Sequence, residues 1–173
     1  MEKIFSLLFG LLLLSAQAQI TTGRINDVRL NKTLDEIEKT LDQKLKLKSD
    51  EYDWMSYAEI NHKGIQMKLG FVKQTNEEGT SENYILYEIR TSSPNIKTLS
   101  GIGVGSSLDD LWNTYKKDFN LSVWFLYDDD IQDISKKKRM FELTGMEEYT
   151  VIRFYLDNDK ITEIVVAASE EGC

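Results

Sequence analysis

The chain has 173 residues, 41% of them hydrophobic, and a formal net charge of −8. An acidic chain repels phosphate backbones and anionic headgroups, which argues against nucleic acid and membrane surfaces and in favour of a basic protein partner. With one histidine and one cysteine there is no internal disulfide and no transition-metal site built from clustered His and Cys.

Residues 1–18 have the pattern of a secretory signal peptide. Lys3 is the positive start, Ile4 to Leu14 is apolar apart from Ser6 and Gly10, and Ala16-Gln17-Ala18 is a small-x-small cleavage site. The apolar run is shorter than the roughly 20 residues a membrane span needs. The expectation is an exported protein, periplasmic or extracellular, with no membrane insertion once the signal is removed.

After a short polar lead-in, Ile20 to Asn26, Thr33 reads as a helix N-cap with Glu36 three residues on, a capping box. Leu34, Ile37, Leu41 and Leu45 share one face, so a helix is expected over about 34–45. Tyr52 to Ile60 is strand-like and ends in an Asn61-His62-Lys63-Gly64 turn. Ile65, Met67, Leu69 and Phe71 then alternate with mostly polar neighbours, as on a strand with one buried face. A polar loop over 75–83 and a strand over 84–90 complete a three-stranded meander. Ser92-Ser93-Pro94-Asn95, with the only proline, marks a joint.

Beyond the joint the pattern recurs. Val28 to Ile37 aligns with Ile102 to Leu111, 74 residues on, and in both a hydroxyl residue precedes Leu-Asp-acid-apolar. Ser107 caps the second helix, with Asp110 in the capping-box position. Strands are expected over 123–127, 139–143, 150–156 and 161–168. A charged insertion, Asp128 to Lys138, holds a helical turn, and Asp157-Asn158-Asp159-Lys160 is a hairpin turn. The expected fold class is α+β: two tandem helix-plus-antiparallel-meander units, 19–97 and 98–173, share one sheet with the helices on one face.

The chemistry-bearing residues are sparse. His62 sits in a turn without a marked nucleophile or orienting acid, which argues against a histidine-centred catalytic group. Asp128-Asp129-Asp130 with Asp133 lacks the glycine and distal glutamate of a calcium loop, and Lys136 to Arg139 can neutralise it locally. Gly101-Ile102-Gly103-Val104-Gly105 lacks the Gly-Lys-Ser/Thr ending of a phosphate loop. No catalytic residue, metal ligand or cofactor is assigned, and an enzyme is not expected. Asn31-Lys32-Thr33 and Asn120-Leu121-Ser122 fit the glycosylation pattern.

Aromatic residues on the predicted strands are the positive clue. With helices over one sheet face, the other would expose Tyr and Trp, a composition suited to protein recognition. The candidate partner-binding residues are Trp54, Tyr57, Tyr87, Trp124, Tyr127 and Tyr155, with Asp128, Asp129 and Asp130 as an acidic contribution.

The stretch Ile102 to Leu111, with the closing Ile152 to Ile164 segment, resembles the beta-lactamase-inhibitor-like fold and the outer-membrane assembly lipoproteins of the SmpA/OmlA type. This chain lacks the lipidated cysteine of the one group and the disulfides of the other. The resemblance implies the tandem fold and a general binding role, and no functional residue. The expected function is an exported, non-enzymatic protein-binding module of inhibitor or immunity type. A structural or assembly factor of the cell envelope is the alternative, and a carboxylate-dependent hydrolase a more distant one.

Overall fold

The computed structural model describes residues 19–49, 54–75, 82–144 and 149–169; the signal-like stretch and Cys173 lie outside them. Among the described residues the order is β1 (Gln19–Thr21), β2 (Arg24–Ile25), β3 (Val28–Arg29), α1 (Leu34–Leu41), β4 (Lys48–Ser49), β5 (Met55–His62), β6 (Ile65–Thr75) and β7 (Glu82–Thr91). Then follow β8 (Lys97–Thr98), α2 (Leu108–Tyr115), β9 (Asn120–Asp128), β10 (Asp133–Thr144), β11 (Thr150–Asp157) and β12 (Lys160–Ala168).

The chain is mostly β, which corrects the expected α+β class with one shared sheet and helices on one face. Strands form a four-stranded sheet, β3-β2-β1-β8, and an eight-stranded one, β4-β5-β6-β7-β12-β11-β10-β9. The helices have only eight residues each. The first stops early because Asp42 turns left-handed (φ 52°) and its N–H closes on the Glu38 carbonyl. The Glu38 carboxylate then accepts the Leu45 N–H at 2.8 Å, so Leu45 reaches the core from an irregular segment and not from a helical stripe.

The expected polar lead-in is part of a second sheet, and its strands are hidden in the sequence for a physical reason. Strands of two or three residues are too short to show alternation, so Ile20, Ile25 and Val28 look isolated in sequence, yet all three are buried. Asn26 takes a positive φ of 53° and returns the chain, its N–H bonded to the Gln19 carbonyl. The 128–138 insertion holds no helix; β10 begins at Asp133 and runs twelve residues.

The pairing pattern recurs between the two halves. Asn31 N–H bonds Leu86 O, and Leu86 N–H bonds Lys32 O; Gly105 N–H bonds Ile161 O, and Ile161 N–H bonds Ser106 O. Each pair ties the residues before a helix cap to the last strand of the meander that follows. Asn31 and Gly105 both have positive φ, 61° and 90°, the region where Gly and Asn are least strained. A β-bulge also recurs, after Gly70 in the β6–β7 pair and after Tyr155 in the β11–β12 pair.

One face of the large sheet carries Met67, Leu69 and Phe71 from β6, Phe141 and Leu143 from β10, and Phe154 and Leu156 from β11. These form one cluster with Ile20, Ile25 and Val28 of the small sheet, Ile37 and Leu41 of α1, and Leu111 and Tyr115 of α2. Full burial of each Phe or Leu contributes about 1.5–3 kcal/mol. Tyr115 stacks on Phe154 at 6.4 Å and shares a 2.7 Å hydrogen bond with the Thr98 hydroxyl. Burial pushes the Tyr115 phenol above its ordinary pKa.

Candidate binding face

Because successive strand residues point to opposite faces, the residues between those core positions stand on the sheet's second face. Its centre is an ion-pair network. Arg90 on β7 donates to Glu88 two residues earlier, Nε to Oε1 at 2.6 Å and Nη2 to Oε2 at 3.3 Å. Its third nitrogen, Nη1, reaches Glu163 of β12 at 3.1 Å. The network therefore crosses the β7–β12 seam between the two halves. Burial lowers the Arg90 pKa, but the Glu88 hydrogen bond and the Glu88 and Glu163 charges outweigh it, and the net shift is upward.

Glu88 is almost sealed, with its side chain 4% exposed. The room for it comes from Gly70 opposite: a Cβ there would lie 2.7 Å from Glu88 Cγ, 3.1 Å from Tyr57 Cε1 and 3.2 Å from Met55 Sδ. A second pair, Arg153 Nε to Glu142 at 2.7 Å, continues the polar row toward β10. Between the two pairs lies a small apolar patch of Val151, Val165 and Ala167, against which Tyr155 packs. At the other end an open trough of about 650 Å³ is lined by Glu59, Gln66, Lys68, Arg90, Glu163 and the Ser92–Asn95 corner.

The candidate aromatics divide among several places. Trp54 meets Tyr87 edge-on at 4.9 Å, while Tyr57 lies beneath the Lys68 ammonium at 3.9 Å and beside Gly70. Tyr155 sits in the middle of the face, 5.8 Å from the Arg90 guanidinium. Trp124 stands on the far edge strand, opposite Met140. Tyr127 belongs to the opposite face of β9, three residues on. Asp128 is held by Lys138 at 3.1 Å, and this hydrogen bond, against a smaller burial effect, keeps its carboxyl below the usual range. Asp129 and Asp130 stand exposed in the β9–β10 turn.

Sequence reasoning missed Gly70, Glu88, Arg90, Glu163, Glu142 and Arg153. A faint signal existed: Glu88-x-Arg90 alternates charge along a strand whose other face is apolar. Their pairing needs the β7–β12 register, which no local pattern supplies. Also missed were Phe125, Ile131 and Ile134, which with Val123, Trp124 and Tyr127 make six exposed large apolar side chains on one hairpin.

Among the described residues, every carboxylate with a resolved shift (Asp27, Glu36, Glu38, Asp110 and Asp128) is lowered by caps and ion pairs. No group of three or more His, Cys, Asp or Glu there could hold a metal ion, and no helix there is long and apolar enough to cross a membrane. No protein-family model, curated protein or solved structure matches the chain.

Proposed function

We propose that the protein is an exported, non-enzymatic protein-binding module whose partner is basic. The observation that carries this reading is the second face of the large sheet. It is set with aromatic side chains around an ion-pair network that is already closed. Tyr57, Tyr155 and Trp124 offer rigid, amphipathic contact area at low conformational cost, and the paired charges beneath them hold the strands in place. The acidic charge, with Asp129 and Asp130 at the rim, suits long-range attraction of a basic surface.

The test compares wild-type protein with a Trp54→Ser/Tyr155→Ser variant, each immobilised through Cys173 and exposed to an envelope extract. One stoichiometric partner held by wild type at moderate salt and released by the variant supports the reading. A partner held equally by both removes this face from recognition, and a recurrent set of envelope-assembly proteins moves the assignment to an assembly factor. Asp129→Asn/Asp130→Asn should slow association several-fold at low salt and little at high salt.

A further inference from the structure

The two edges of the eight-stranded sheet are unequal. One ends in β4, two residues long, with Lys44, Lys46 and Lys48 around it, the usual guards of an exposed edge. The other is β9, nine residues long and paired, among the described residues, only with β10. Its sequence, Asn-Leu-Ser-Val-Trp-Phe-Leu-Tyr-Asp, has no lysine and no proline. Val123, Trp124, Phe125 and Tyr127 are 42%, 43%, 57% and 57% exposed. An edge strand of this length and apolarity is a template for another strand.

We infer that β9 pairs antiparallel with β9 of a second copy of this chain, about a two-fold axis at Trp124. The strand is its own complement in that register: Trp124 meets Trp124, Val123 meets Phe125, Ser122 meets Leu126, and Leu121 meets Tyr127. A two-fold axis makes every such contact twice. Charge argues for this occupant. The register carries Asp129 and Asp130 toward the partner copy's Lys116-Lys117-Asp118 segment ahead of β9, which is net positive although Asp118 itself falls opposite Asp130, and all five residues are exposed. Two sheets thereby join into one continuous sheet of sixteen strands, and the four exposed apolar side chains of β9 gain strand neighbours.

The experiment uses protein expressed from the full sequence and followed by sedimentation across a wide concentration range. Wild type sediments as a monomer–dimer equilibrium. Val123→Lys/Phe125→Lys sets like charges opposite each other twice and weakens the dimer at least about tenfold. Val123→Glu/Phe125→Lys sets opposite charges in the same two places and restores it, which separates a lost interface from a lost fold. In a Cys173→Ser background, Trp124→Cys cross-links to itself under oxidation, whereas Ser122→Cys, roughly 13 Å from its own copy in this register, does not. A wild-type monomer at all concentrations, a dimer indifferent to the double-lysine variant, or a Trp124→Cys protein that stays uncross-linked overturns the inference. An unrelated protein strand found in place of the second copy overturns it as well.

Discussion

At the scale of single residues, the Gly70–Glu88–Arg90–Glu163 set is where charge, space and position depend most on one another. Arg90→Met leaves the nearly sealed Glu88 carboxylate without its guanidinium and is expected to cost about 3–5 kcal/mol in urea unfolding. Glu163→Gln removes a partner whose side chain is 31% exposed, and its expected cost is about 0–1 kcal/mol. Gly70→Ala keeps an ordinary backbone but forces Glu88 and Tyr57 aside, for about 1–3 kcal/mol; an unchanged midpoint would show that these neighbours move aside freely. Asp27 offers a pH test. Its carboxylate takes His62 Nε2 at 2.9 Å and Lys63 Nζ at 2.8 Å, tying the β2–β3 turn to the β5–β6 turn. Burial raises its pKa, but the Lys63 bond together with the other hydrogen bonds and the His62 charge brings it below 3.8. A depressed folded pKa means stability that is present above the unfolded value and lost as pH falls through the folded one. Wild type should therefore exceed Asp27→Asn in stability at neutral pH, and the gap should close as pH drops below 3.8. A gap that widens in acid would refute the assignment.

At the scale of elements, the two caps were fully legible. Thr33 and Ser107 each accept the N3 backbone N–H, and Glu36 and Asp110 each return to the cap N–H. In the first box the Lys32 ammonium and the Thr33 N–H carry the Glu36 carboxyl down to about 2. Thr33→Ala and Ser107→Ala should each cost about 1 kcal/mol, read by chemical denaturation. Helices of two turns cannot form without such ends or tertiary support. The hairpin turn at Asn158-Asp159, both with positive φ, was legible for the same local reason. β1–β3 and the early start of β10 were not. A buried residue in a two-residue strand has no periodic neighbours, and a lysine-rich strand segment looks like a solvated loop until its partner strand is known. Of the candidate residues, alternation alone already sets Tyr127 on the face opposite Trp124, three residues earlier, whereas the ion pair of Asp128 with Lys138 needed the β9–β10 pairing.

At the scale of the whole molecule, the two halves cannot come apart without cost. The last strands of the two meanders, β7 and β12, pair through Ile164–Thr91 to Ala167–Glu88, and β1 pairs with β8 from beyond the joint. One apolar cluster runs through both halves. Unfolding should be a single transition, with tryptophan fluorescence and far-UV circular dichroism coincident. Phe154→Ala, removing a fully buried ring between Tyr115 and Phe141, should lower both signals' midpoints together, by about 3–5 kcal/mol. Two separate transitions would show that the halves fold as independent domains. The sequence by itself determined the caps, the tight turns, the long alternating strands and the 74-residue recurrence, because each is set by residues within a turn or a few positions of one another. The tertiary structure alone decided the second sheet, the β7–β12 seam, the ion-pair network across it and which strand stands last in the large sheet. These depend on contacts between residues distant in sequence, where burial and register outweigh local preference.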